Sequence, residues 1–191
     1  MKLYYNRPSP YARVVLVVAH EKALFDRIEM HQTDPWADPA ELLAITPLCK
    51  VPALVTDDGV LITESAAISA YLDDIGPGPR LVDGDRARIL SRLGLAQGLI
   101  DAAFISVIER RRPAQRQWPQ WIDRQRRALE RTLPEMAPPS DRFDLSDIAL
   151  ACGLAYLDFR LPEIPWRNTH PSLAEWLDRT NQRPSMQATK P

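Results

Sequence analysis

The stretch Ser9-Pro10-Tyr11-Ala12-Arg13-Val14-Val15-Leu16-Val17-Val18 can be read in two ways, and the choice decides the architecture around it. The five apolar residues from Val14 to Val18, four of them β-branched, have the composition of a buried strand. The residues before them argue for a helix. Ser9 is a favoured N-cap, and Pro10 at the first helical position brings the φ a helix start needs while lacking only an N–H that would go unpaired there. The reading adopted is a helix over residues 10 to about 21. Residues 2–5 then form a strand before it. Residues 25–30 form a second strand after it, with Ile28 and Met30 alternating against Arg27 and Glu29. Strand, helix, strand is a βαβ unit, and its crossover makes the two strands parallel.

Further along, residues 38–45 read as a short helix. Residues 51–55 and 60–62 are brief apolar runs split by Asp57-Asp58-Gly59, a turn that predicts an antiparallel hairpin. Residues 64 to about 75 follow as a helix with Ile68, Tyr71, Leu72 and Ile75 on one face. Gly76-Pro77-Gly78-Pro79 cannot continue it and reads as a linker. From about residue 80 the texture is helical throughout, and this change is the argument for two domains, 1–76 and 81–191 joined by 77–80. Ile89, Leu93, Ala96, Ile100, Phe104 and Val107 mark one face of a long helix ending near Arg111. Trp118, Ile122, Gln125, Leu129, Leu133 and Met136 mark a second, ended by a Pro138-Pro139-Ser140 turn. Asp144 then caps a helix over residues 145 to about 157 whose third residue is Asp147, with Phe143 and Ile148 as a hydrophobic staple. Residues 160–171 are a proline-rich loop, and residues 172–181 form a last amphipathic helix through Leu173, Trp176 and Leu177.

Composition narrows the function. In 191 residues, 24 basic and 25 acidic side chains give a net charge of −1, so no overall field draws the chain to nucleic acid or to an anionic membrane. Hydrophobic residues at 45% and charged residues at 26% are ordinary for a globular protein. No unbroken apolar run approaches the ~20 residues of a spanning helix. The apolar start is cut by Asn6-Arg7-Pro8 before it can form a signal-peptide core, so a cytoplasmic location is expected. Cys49 and Cys152 lie far apart without a C-x-x-C pair, and His20, His31 and His170 have no ligand spacing; neither a dithiol centre nor a metal is expected. The Arg110-Arg111-Arg112 run suits a helix C-terminus and solvent.

Three short motifs can carry chemistry. The Ser9 hydroxyl lies where a strand has ended and a helix begins, beside unpaired N–H groups at the positive end of a helix dipole. It is either a cap alone or a cap that also steadies an anion such as a thiolate. Lys50-Val51-Pro52 precedes the third strand, where Pro52 either starts the strand or, through a cis bond, leaves the Val51 backbone to pair with a peptide-like ligand. Glu64-Ser65 opens a helix, where the pair either caps it or holds a carboxylate and an ammonium.

Taken together, these motifs resemble the cytosolic glutathione transferases. The resemblance runs from Ser9-Pro10-Tyr11-Ala12-Arg13 through Lys50-Val51-Pro52-Ala53-Leu54 and Glu64-Ser65-Ala66-Ala67-Ile68 to Phe143-Asp144-Leu145-Ser146-Asp147-Ile148-Ala149. It implies an α/β thioredoxin-like N-terminal domain followed by an all-α C-terminal domain. It implies that Ser9 orients and activates the thiolate of glutathione as co-substrate, that Val51 pairs with the cysteinyl backbone, that Glu64 and Ser65 bind the γ-glutamyl end and that Lys50 meets the glycyl carboxylate. Tyr5 and Tyr11 are candidates for the pocket of a hydrophobic electrophile. Serine at position 9 sets the chain apart from the omega-like and beta-like branches, which carry cysteine there. The implied protein is a homodimeric detoxifying transferase without metal. The rival readings are a non-catalytic binding or regulatory protein of the same fold and a glutathione-dependent peroxidase, isomerase or dehalogenase.

Overall fold

The structure, a computed structural model, describes residues 1–136 and 142–191; the expected Pro138-Pro139-Ser140 turn lies outside the described residues. The ambiguous apolar run is helical. Helix α1 (Pro10–Glu21) starts at Pro10, and the Ser9 Oγ accepts a hydrogen bond from the Ala12 N–H at 3.2 Å. Val14, Val15, Val17, Val18 and Ala19 are at most 1% exposed. A β-branched residue costs a helix roughly 0.5 kcal/mol in propensity, whereas burying a valine side chain returns at least ~1.5 kcal/mol, so burial on every side overrides the strand-like composition.

Around α1 lies a four-stranded sheet in the order β2-β1-β3-β4, made of β1 (Lys2–Tyr5), β2 (Glu29–Gln32), β3 (Ala53–Val55) and β4 (Leu61–Thr63). β1 and β2 are parallel with Tyr4 opposite His31, as the βαβ reading requires. β1 and β3 are antiparallel with Tyr4 opposite Ala53, and β3 pairs with β4 through Ala53 opposite Thr63. Gly59 turns that hairpin at φ +84°, which favours glycine, and Thr56 and Val60 close it through the Thr56 N–H at 2.9 Å.

The second strand differs from the expectation. Phe25–Arg27 is a single 3-10 turn, and pairing with β1 extends the strand to the polar His31 and Gln32. The helix before it ends with Ala23 at φ +53° and the Leu24 N–H bonded to the Ala19 carbonyl, which leaves residues 25–27 to turn the chain back towards the sheet.

Short helix α2 (Ala40–Leu43) and helix α3 (Ser65–Ile75) complete this part. α3 packs on α1 through Ile68 and Leu72, both fully buried, while Ile75, expected on the same face, is 43% exposed. Its far end is held by a buried ion pair. Lys22 Nζ lies 3.0 Å from the Asp73 carboxylate and also donates to the carbonyls of Gly78 (2.7 Å) and Pro79 (2.8 Å). Asp73 accepts in addition from the Leu81 N–H at 2.8 Å. A side chain at Gly78 would collide with the Glu21 carbonyl and lie 2.8 Å from Lys22 Cα, so the glycine lets the linker close onto the end of α1.

The chain forms two compact units, Met1–Leu81 with Pro184–Pro191, and Val82–Arg183. Residues 184–191, expected with the second domain, group with the first unit. The last residues form helix α9 (Pro184–Ala188), which packs on α1 with Met186 fully buried and the Ser185 Oγ donating to the Glu21 carboxylate at 2.5 Å.

The second unit is helical: α4 (Arg86–Arg110), α5 (Pro119–Glu135), α6 (Leu145–Arg160), α7 (Trp166–Thr169) and α8 (Pro171–Thr180). α4 is long and apolar enough to cross a membrane by length and composition, but Ile89, Leu93, Ala96, Leu99, Ile100 and Ala103 are buried and the helix packs on α5 and α6 as a core element. Trp118, expected on the apolar face of α5, is 59% exposed and stacks on Trp121. α7 is a short turn of helix inside the proline-rich loop. The start of α6 carries the complete capping box. Asp144 Oδ1 accepts from the N–H groups of Ser146 (2.8 Å) and Asp147 (3.1 Å), and the Asp147 carboxylate accepts from the Asp144 N–H at 3.3 Å. The staple residues Phe143 and Ile148 are both buried.

Candidate functional site

Strand register brings the three motifs to one edge of the sheet. β1 runs towards Tyr5 and, after the three residues Asn6, Arg7 and Pro8, delivers Ser9. β3 is antiparallel to β1, so its beginning, with Val51 and Pro52 just before it, lies beside the end of β1. β4 is antiparallel to β3 and ends beside that same beginning, where Glu64 and Ser65 start α3. Ser9, Val51 and Glu64-Ser65, distant in sequence, thus share the sheet edge at which α1 and α3 present their N-termini.

Ser9 is half-buried and in extended backbone conformation, φ −77° and ψ 122°. Its Oγ spends one lone pair on the Ala12 N–H. A hydroxyl has one donor and two acceptor sites, so capping leaves the proton available to an anion in front of the helix. The two roles read from the sequence are therefore compatible in one atom.

The loop delivering Ser9 is set by Asn6, which belongs to none of the three motifs. The Asn6 carbonyl accepts from the Ser9 N–H at 3.0 Å, and the Asn6 Nδ2 donates to the Thr33 carbonyl at 3.2 Å, tying the loop to the end of β2. The available signal was an asparagine opening Asn-Arg-Pro-Ser at a strand end, a turn-forming composition.

The Val51–Pro52 peptide bond is cis. Val51 lies outside the ladder of β3, and neither its N–H nor its carbonyl takes part in a backbone hydrogen bond among the described residues. Its side chain packs against the small cluster of Tyr4, Leu42 and Ala53. Lys50 is exposed.

Glu64 has φ +69° and ψ 124°, a backbone conformation that costs a residue with a side chain of order 1 kcal/mol. Its carboxylate is exposed and does not cap α3, whereas the side chain of Ser65 is buried. Tyr5 and Tyr11 are both half-buried, at the end of β1 and in the first turn of α1.

Cys49, next to Lys50, is a thiol close to this edge. Burial and the neighbouring Asp38 carboxylate push its pKa up, so it stays a thiol at neutral pH and is a poor nucleophile. Among the described residues no group of His, Cys, Asp and Glu side chains is arranged to hold a metal ion.

Comparison with known proteins places this geometry. The N-terminal domain model of glutathione S-transferases matches residues 8–75, and the C-terminal domain model matches residues 119–179. A glutathione transferase family member from Pseudomonas fluorescens Pf-5, solved with bound glutathione, is 38% identical and superposes with a TM-score of 0.93 over 100% of this chain and 98% of its own. A glutathione S-transferase from Methylobacterium radiotolerans, in complex with glutathione sulfonate, is 34% identical with a TM-score of 0.90 over 100% of this chain and 94% of its own. YibF, an uncharacterised GST-like protein of Escherichia coli K12, is 29% identical over 100% of this chain and 98% of its own length. Both domain models match in order along one chain, and the likeness to these structures runs end to end: the chain belongs to the glutathione S-transferase family.

Proposed function

We propose that the protein is a glutathione transferase in which the Ser9 hydroxyl donates a hydrogen bond to the glutathione thiolate, and the thiolate sulfur bonds to an electrophilic carbon as a leaving group such as halide departs or an epoxide ring opens. The observation that carries this reading is the Ser9 hydroxyl, which caps α1 through a lone pair and keeps its proton for an anion at the helix N-terminus. A free thiol with pKa near ~8.5 is only a few per cent ionised at neutral pH, and lowering it by roughly two units asks about 2.7 kcal/mol of the site. One hydrogen bond to a charged acceptor supplies about 1.5–3 kcal/mol, and a helix N-terminus adds about 0.3–1 kcal/mol. The two effects together are adequate.

In this reading Val51 pairs as a strand with the cysteinyl backbone, Glu64 and Ser65 take the γ-glutamyl end, and Lys50 meets the glycyl carboxylate. The glutathione and glutathione sulfonate bound to the structural relatives support that ligand. Tyr5 and Tyr11 border the electrophile, and conjugation proceeds by raising the thiolate population and positioning it. The reading includes a homodimer acting in the cytoplasm on hydrophobic electrophiles, as in detoxification.

Calorimetric titration with glutathione, followed by turnover with a panel of aryl halides, epoxides and hydroperoxides, tests it. Micromolar to millimolar binding and conjugation that falls at least about tenfold in Ser9→Ala are expected. Binding without turnover on any of the panel would leave a glutathione-binding protein in place of the enzyme.

A further inference from the structure

The eight residues that return to the first unit do more than fill its core: they meet the two arginines on either side of Ser9. Arg7, two residues before Ser9, donates its Nε to the Lys190 carbonyl at 3.3 Å. Arg13, four residues after, donates its Nη2 to the Met186 carbonyl at 3.2 Å. At the opposite end of α1 the Ser185 Oγ donates to the Glu21 carboxylate. The C-terminal segment thus runs along α1 from its last turn to the loop before its first. It is itself well fixed, with Ser185, Met186 and Thr189 at most 6% exposed and Thr189 Oγ1 donating to the Ser185 carbonyl at 2.8 Å.

Arg13 is an expensive way to make this contact. It is 5% exposed, and its Nε has no hydrogen-bond partner among the described residues. A buried guanidinium that meets a carbonyl in place of a carboxylate bears a desolvation cost that an apolar side chain of similar volume avoids. The backbone of the same residue closes the first turn of α1, its N–H donating to the Ser9 carbonyl at 3.0 Å.

We propose that Arg7 and Arg13 are positioning residues for Ser9, using the carbonyls of Lys190 and Met186 as fixed points so that the hydroxyl aims at the bound thiolate. The proposal rests on the thiolate role of Ser9 proposed above. Neither arginine touches the ligand in this scheme. Each fixes one side of the cap, and the chain's end is thereby part of the site.

The test is the ultraviolet titration of bound glutathione thiolate in Arg13→Met, Arg13→Lys, Arg7→Met, Ser185→Ala and Ser9→Ala, each checked for folding by circular dichroism. The thiolate pKa is expected to rise by about one unit in Arg13→Met and by about half a unit in Arg7→Met. In Arg13→Lys, which keeps a donor for Met186, it should rise by less than about 0.3 unit. Ser185→Ala, which loosens the segment far from Ser9, is expected to lower thermal stability without moving the thiolate pKa. Binding of S-methylglutathione, which has no thiolate to stabilise, should stay within about twofold throughout. If Arg13→Met does not fold, Arg7→Met, an exposed side chain with one hydrogen bond, decides. An unmoved thiolate pKa in the arginine variants alongside a lost shift in Ser9→Ala would overturn this proposal and leave the role of Ser9 standing. Equal rises in Ser185→Ala and Arg13→Met would reduce the segment to a general stabiliser and also overturn it. No change in Ser9→Ala would remove the reading on which it stands.

Discussion

Two helices of this protein begin with an acid and a serine close together, Glu64-Ser65 at α3 and Asp144-Leu145-Ser146-Asp147 at α6, and they use them in opposite ways. At α6 the backbone cap is closed by the helix's own residues: Asp144 accepts from two backbone N–H groups and from the Ser146 hydroxyl, and Asp147 accepts from the Asp144 N–H in return. At α3 the acid stands at φ +69° with its carboxylate exposed, and it does not cap the helix. α3 is held instead from its other end, where Asp73 meets Lys22 and the Leu81 N–H. A helix start whose donors are satisfied by its own residues is a folding device, and one secured elsewhere can leave its start for a ligand. Motif chemistry alone does not distinguish the two, since both contain the same residue types.

The strongest way to break this contrast is to cut α3 loose. Asp73→Ala leaves the fully buried Lys22 ammonium without its counter-charge and should cost about 3–5 kcal/mol in urea unfolding. Replacing both partners by apolar residues of similar size should cost less. A loss below about 1 kcal/mol in Asp73→Ala would show that α3 is secured by something other than this pair. Asp144→Ala, at the closed start, should cost about 1–2 kcal/mol and leave glutathione affinity unchanged in the folded fraction. An affinity loss there would erase the distinction between the two helix starts.

The closed start also carries a pH signature. Burial, reinforced by the nearby Asp144 carboxylate, raises Asp147 from its ordinary value of 3.8 to about 7. The folded protein therefore binds this proton more tightly than the unfolded chain does. The stability it contributes is fully present below about pH 4 and is lost as the pH rises towards 7, with a slope from this group of at most about 1.4 kcal/mol per pH unit. The slope should vanish in Asp147→Asn, measured by urea midpoints across that range. Smallest in stability is Glu64→Gly. Glycine relieves the positive φ, so the protein should gain about 0.5–1 kcal/mol while binding glutathione about tenfold less tightly. A variant that loses both would make Glu64 a structural cap after all.

The fold was legible where local chemistry and burial agree. Ser9-Pro10 identified α1 against the strand-like valines, and Asp57-Asp58-Gly59 placed the hairpin. Asp144 with Asp147 marked α6, because caps and turns act within a few residues of the chain. What the sequence hid depends on distant partners. β2 ends two residues later than expected and starts four later, because pairing with β1 and the stacking of His31 on Tyr4 at 4.8 Å decide where it lies. α9 is too short for a helical period to show, and its partners lie on α1, where Arg13 and Glu21 are more than 160 residues earlier. The site residues were nameable as three separate motifs, but their convergence is a property of strand order. Asn6, which sets the approach to Ser9, carries no chemistry a motif would flag.

The central claim is that Ser9 lowers the pKa of a bound glutathione thiol, and the most direct test is the ultraviolet difference absorbance of that thiolate against pH, in the protein and in Ser9→Ala. The account predicts a midpoint about two units below the free thiol's value of ~8.5 in the protein and within about half a unit of the free value in Ser9→Ala. An equally low midpoint in both proteins, or glutathione bound by the protein with an unshifted thiol, would contradict it.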